Sequence, residues 1–211
     1  MGKYFGIDSP FMKFLTLVTN LVCLNVLWLI CCLPIFTAGA ATVAMYHVII
    51  QYITHQDDAV MKPFFKAFKD NFKATTPIWI LNFLIALALV AEAFYLSQGA
   101  EKWLIVAFLV LSFAYLGISS YLYPIIARYD APVRNAVFNS IALSLRHFAS
   151  TVLVVSLNVI PILLGVLEPR IFLRTGIFWT LGGFSLIAYL NGRILMKLFR
   201  KYEQKREPCM E

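Results

Sequence analysis

Residues 14–33 run for about 20 positions without a charged side chain, the length an α-helix needs to cross ~30 Å of hydrocarbon. Further runs of the same kind follow. Inside a bilayer every backbone N–H and C=O must be paired within the protein, so a chain built from such runs folds as helices. At 61% hydrophobic and 14% charged residues, the chain falls outside the range of ordinary soluble domains. The sequence predicts an all-α, polytopic transmembrane bundle forming one domain over residues 1–211. It has about six spans, near residues 14–33, 38–53, 77–96, 103–127, 149–167 and 177–196. The second run is short for a span and is the weakest of the set. The first exceeds the 7–15 residues of a cleavable signal core and is read as a retained span.

Two segments between the runs read as amphipathic helices on the cytoplasmic surface, residues 63–73 and 131–148. A helix beginning at Pro63 places Phe64, Phe65, Phe68 and Phe72 within about 100° of arc, with Lys62, Lys66, Lys69 and Lys73 on the other side. Such a helix suits a membrane surface. Its phenylalanines reach the acyl boundary, and each lysine near an anionic leaflet contributes roughly 1 kcal/mol. These residues are the candidate membrane-surface or docking set, with membrane lipids as the first partner. Thr75 and Thr76 offer caps, and Pro77 suits the first position of the third span, so a break is expected there. In the second segment Val133, Val137, Ile141 and Leu145 recur at helical spacing between Arg134 and Arg146. The order apolar run, surface helix, apolar run occurs across residues 38–96 and again across 103–167. Duplication and common packing geometry account for that echo equally well.

The formal net charge of +7 resides mainly at the ends of the apolar runs. Lys3, Lys13, the four surface-helix lysines, Arg128, Arg134, Arg146 and the basic tail after residue 196 fall on one side of the proposed layout. Lys102, Arg170 and Arg174 fall on the other. The positive-inside rule then places both termini in the cytoplasm. With those charges assigned, no basic module remains for nucleic acid.

No phosphate-cradling glycine loop, metalloprotease helix or nucleophile elbow is present, and Cys23, Cys31, Cys32 and Cys209 lack paired zinc spacing. No catalytic, cofactor-binding or metal-ligating residue is expected, and the chain is read as non-enzymatic. The informative residues are polar ones inside spans, because polar groups in hydrocarbon need partners. His47, Gln51 and His55 form one stripe; Thr16, Asn20 and Cys23 share a second face; Ser112, Tyr115, Ser119 and Tyr123 share a third. A polar cavity passing a small solute or proton is one reading, and hydrogen bonding between packed spans is the other. Glu92 and Arg193 lie near opposite leaflets by residue depth. Glu92 is therefore expected to face Lys102, Arg170 or Arg174, and Arg193 to snorkel to the cytoplasm. His47, Gln51, Glu92 and Arg193 are the candidate intramembrane polar residues, while Gly182 and Gly183 mark close helix packing.

Several strings together resemble the YesL-like family of bacterial integral membrane proteins, a domain of unknown function. They are SPFMKFL, LNVLWLICCLPIFTAGAATVAMYHV, FFKAFKDNFK, YPIIARYD, NSIALSLRH and GFSLIAYLNGRIL, spread over nearly the whole chain. LPIFTAGA and FKAFKDNFK are the most specific. The resemblance implies an all-helical bacterial plasma-membrane protein, associated through gene neighbourhood with sugar uptake and polysaccharide utilisation. It supplies no catalytic or ligand residues. The resulting expectation is a non-enzymatic accessory or regulatory membrane protein that assists a carbohydrate ABC importer, docking through its cytoplasmic helices. The alternative is a small secondary transporter, working as a homo-oligomer such as a dimer, whose polar stripes line a solute pathway. An importer permease is disfavoured because no cytoplasmic helix carries the Glu-Ala-Ala then glycine pattern that engages an ATPase.

Overall fold

The computed structural model describes residues 10–55, 59–99, 101–129 and 133–206. Lys3, Cys209, Ala100 between the third and fourth expected spans and Ala131 at the start of the expected second surface helix lie outside the described residues. Among the described residues all regular structure is helical. The order is α1 (Pro10–Cys32), a 3-10 turn (Ile35–Thr37), α2 (Ala38–His55), α3 (Met61–Leu96), α4 (Lys102–Tyr129), α5 (Val133–Arg146) and α6 (Phe148–Leu167). There follow α7 (Pro169–Arg174), α8 (Gly176–Phe178), a π-helical turn (Trp179–Gly183) and α9 (Phe184–Arg206).

Four stretches are long and apolar enough to cross a membrane: Phe11–Cys32, Ile35–His55, Met61–Leu96 and Lys102–Tyr129. Val133–Arg146 and Phe148–Leu163, bent by 107° where they meet, qualify as a fifth only when taken together. Among the described residues the protein is thus all-helical, with four or five helices of spanning length. The run expected at residues 177–196 is divided between α8, the π turn and α9.

The expected break at Pro77 does not occur, and α3 continues unbroken for 36 residues. Thr75 and Thr76 do not cap. Their hydroxyls donate backwards, to the carbonyls of Asn71 at 2.8 Å and Phe72 at 2.6 Å, as they do inside a helix. Pro77 lacks the N–H that would bond Lys73, but packing on both sides of it keeps the axis continuous: Thr75 and Trp79 both lie against α2. At 1.5 Å per residue α3 is about 54 Å long, well beyond ~30 Å of hydrocarbon.

Around α2 the other helices assemble. Its first turns are small, Ala38-Gly39-Ala40-Ala41, and its buried residues run on through Val43, Tyr46, Ile49 and Ile50. Small side chains let helix backbones approach closely where lipid cannot drive association. A Cβ placed on Gly39 would come within 2.6 Å of Trp79 Cβ and 3.3 Å of the Thr75 carbonyl. Trp79 Nε1 donates to the Ile35 carbonyl at 2.6 Å. The Thr37 hydroxyl closes the turn on the carbonyls of Cys31 and Pro34. The LPIFTAGA string is therefore a turn built to seat Trp79. From that point α2 runs antiparallel to residues 61–79, while α3 extends about 25 Å farther, to Leu96. Along that extension Leu81, Leu84, Leu87, Val90 and Phe94 face outward.

Helix α5 turns a row of small residues inward. Ala136, Ser140 and Ser144 are buried, whereas Leu145 is 74% exposed. Close packing selects the small residues: a Cβ on Gly117 of α4 would lie 3.7 Å from Ser144 Cβ and 3.0 Å from Thr151 Cγ2.

Gly39→Leu is expected to destabilise the purified protein by about 1–3 kcal/mol, since Trp79 and the Thr75 backbone leave no room. Gly176→Ala, where nothing lies within 4 Å, is expected to be neutral. Equal melting temperatures for the two variants in mild detergent would show that the α2–α3 approach is not tight.

Candidate functional site

The antiparallel register of α2 and α3 brings two groups of residues together that lie apart in the sequence. His47 and Gln51 sit one turn apart on α2. Lys62, Pro63, Lys66, Ala67, Asp70 and Asn71 follow the same side of the first turns of α3. With Ala59 they line a cleft of about 520 Å³, within the size range of small-molecule sites.

At its inner end a short hydrogen-bond chain has a defined polarity. His47 Nδ1 lies 3.2 Å from the Ala127 carbonyl, which can only accept, so Nδ1 carries the proton. Nε2 is then the acceptor and takes a hydrogen from Gln51 Nε2 at 3.1 Å. This orientation leaves Gln51 Oε1 buried without a donor. The outer wall is charged. Lys62, Lys66 and Asp70 are exposed, and none is in an ion pair among the described residues.

The expected docking set divides by burial. Phe64 is fully buried in the main hydrophobic core, and Phe68 packs against that core. Phe72 is half-buried, whereas Phe65, Lys69 and Lys73 are exposed. The phenylalanine arc thus serves in part to fix α3 to the protein. Its lysines stay free because they occupy the neighbouring side of the helix.

Of the other polar stripes, three residues on α4 link it to α3, whereas Asn20 Nδ2 and Ser112 Oγ are buried with no partner among the described residues. Tyr115 donates to the Asn82 carbonyl at 2.8 Å, Ser119 to Asn82 Oδ1 at 3.0 Å, and Asn82 Nδ2 to the Tyr123 hydroxyl at 3.1 Å. Glu92 is exposed and has no ion-pair partner among the described residues. Arg193 is exposed, with its guanidinium carbon 5.9 Å from the centre of the Tyr189 ring. Neither reaches the cleft.

Four asparagines escaped the sequence reading. Besides Asn82, Asn158 Nδ2 donates to Ser120 Oγ at 3.1 Å and Asn191 Nδ2 to Asn158 Oδ1 at 3.0 Å, linking α4, α6 and α9. Asn25 repairs the π turn. Its amide donates to the carbonyls of Trp179 and Thr180, at 3.0 and 2.8 Å, and its oxygen accepts from the Ser185 N–H at 3.0 Å. The signal available was simple: an amide inside an apolar run must find partners. Among the described residues no group of three or more His, Cys, Asp or Glu side chains comes together.

The family model described as "Protein of unknown function, DUF624" matches residues 21–93, the stretch that holds α2 and the whole cleft wall. Uncharacterized protein YesL of Bacillus subtilis (strain 168) is 27% identical over 198 residues, covering 92% of this chain and 91% of the relative. A second relative from the same organism, uncharacterized protein YteU, is 26% identical over 186 residues, 85% of this chain and 81% of the relative. The chain is similar to these YesL-like proteins over most of its length. No solved structure matches this YesL-like chain.

A double-mutant cycle on Asn82→Ala and Ser119→Ala is expected to give a coupling near ~0.6 kcal/mol in detergent unfolding, as for hydrogen bonds between membrane helices. Strict additivity would remove the link between α3 and α4.

Proposed function

We propose that this YesL-like protein is a non-enzymatic accessory component of the bacterial plasma membrane, whose cytoplasmic end docks a carbohydrate ABC importer. The observation that carries the reading is the row Lys62, Lys66, Lys69 and Lys73. All are exposed and make no ion pair among the described residues, on a helix whose other side is fastened into the core through Phe64, Ala67 and Thr75. The row extends about 16 Å at 1.5 Å per residue. A free, rigidly held basic stripe favours fast, salt-sensitive encounter with an acidic surface. Positive-inside bias places it in the cytoplasm, together with both termini.

In this layout the chain crosses several times, six by the count of apolar runs. The Trp79–Ile35 hydrogen bond favours a variation. It sets the turn between α1 and α2 about halfway along α3, so those two helices would enter the bilayer as a hairpin and return. Both layouts keep the termini on one side, and the less deeply α2 enters the bilayer, the farther from hydrocarbon the lysine row beside it stays.

A solute pathway is the second reading, supported by the His47–Gln51 pair at the base of the cleft. Purified protein that moves solute by itself in liposomes, with movement abolished in His47→Ala, would favour it over the accessory role.

The accessory reading is tested by purifying tagged protein in mild detergent from cells grown on complex carbohydrate. Lys69→Glu/Lys73→Glu serves as the control, because these two lysines stand outside the cleft. Mass spectrometry is expected to identify an importer permease or ATPase with the unaltered protein and at least tenfold less with the control. Equal recovery would remove the lysine row as the dock. Reporters at either terminus are expected to read cytoplasmic, and a cysteine at Phe36 labelled only from outside would favour six crossings over the hairpin.

A further inference from the structure

We propose that the cleft between α2 and α3 is a binding site for a hydroxylated organic phosphate, either a free polyol phosphate or the headgroup of an anionic glycerophospholipid. The site is distinct from the docking stripe, although it shares Lys62 and Lys66 with it.

The charge pattern selects the ligand. Lys62 and Lys66 stand one turn apart, with Cβ atoms about 6 Å from each other at that spacing, and neither is in an ion pair. Two ammonium groups so placed reach different oxygens of one phosphate, and each bond is charge-assisted. A single carboxylate would satisfy them less fully. Asp70 lies one further turn along, on the same wall and without an ion pair among the described residues. A bare anion would be repelled by it, whereas a ligand with hydroxyl groups beside its phosphate would donate to it.

The base of the cleft makes the same demand. Gln51 Oε1 is buried with no donor, because the Gln51 amide N–H is engaged by His47 and His47 by the Ala127 carbonyl. A buried acceptor without a donor is costly, and a hydroxyl reaching it would remove that cost. The two acceptors, Gln51 Oε1 and Asp70, and the two ammonium donors thus match a polyol at one end and a phosphate at the other. A volume of about 520 Å³ accommodates a glycerol phosphate with several waters.

The test uses the full chain in phosphatidylcholine nanodiscs, titrated calorimetrically with sn-glycerol 1-phosphate, inorganic phosphate and glycerol. Lipid retained through mild-detergent purification is measured in parallel by native mass spectrometry. If the source is soluble, glycerol phosphate binds more tightly than phosphate or glycerol, and Lys62→Gln/Lys66→Gln weakens it roughly tenfold or more. Gln51→Met is expected to remove the advantage over inorganic phosphate. If the source is lipid, phosphatidylglycerol is retained by the unaltered protein and lost from Lys62→Gln/Lys66→Gln, and the free ester binds weakly. Lys69→Gln/Lys73→Gln leaves either result unchanged, which separates this site from the dock. The melting temperature of each variant reports folding. The proposal is overturned if neither ester binds, if glycerol binds as well as its phosphate, or if folded Lys62→Gln/Lys66→Gln retains full binding.

Discussion

The approach of α2 to α3 at Gly39 is the constraint on which the rest of the fold depends. With the α-carbon of Gly39 against Trp79 and the Ile35 carbonyl bonded to the indole, the register of the two helices is set to within a residue. That register carries Phe64 into the core and aligns His47 and Gln51 with the first turns of α3. It also leaves residues 80–96 to project past the turn with their apolar side chains outward. A larger residue at 39 would move all of these at once, because packed helices shift as units rather than yield locally.

Hydrogen bonding performs the task that apolar burial performs in soluble proteins. Lipid tails are as apolar as leucine, so helix association has to come from close packing and from polar groups that find each other. Asn82 joins α3 to α4 through three bonds, Asn158 joins α4 to α6 and α9, and Asn25 holds α1 on the π turn. The π turn is the clearest case. At the widened turn a single amide from another helix donates to the carbonyls of both Trp179 and Thr180.

Much of this was legible in the sequence wherever the cause was local. Charge-free runs marked the long helices, and the i, i+4 spacing of His47 and Gln51 marked a pair that does hydrogen-bond. Lys62, Lys66, Lys69 and Lys73 recur at helical spacing, and all four are exposed on α3. What was not legible depended on contacts distant in sequence. Thr75-Thr76-Pro77 has the composition of a helix start, and only packing against α2 reveals that the helix passes through it. The buried row of α5 was not legible for the same reason: hydrophobicity marked Val133, Val137, Ile141 and Leu145, while the proximity of α4 at Gly117 selects Ala136, Ser140 and Ser144. The cleft could not be read at all, since its walls meet only through the Gly39 register.

Lys62 and Lys66 connect the two proposals. They form half of the basic row that would meet an acidic partner, and they are also the cationic wall of the cleft. A phosphate bound between them neutralises that half of the row and leaves Lys69 and Lys73 unaltered. Partner and phosphate ester would therefore compete for the same charge, and the competition is reciprocal by linkage: whatever the ester takes from partner affinity, the partner takes from ester affinity. The distance involved is short, because both sites lie on one rigid stretch of helix fastened at Phe64 and Ala67. No conformational change is required for one to report the occupancy of the other. Electrostatics at a Debye length of about 8 Å in physiological salt suffices, since both lysines lie within that distance of a phosphate seated in the cleft.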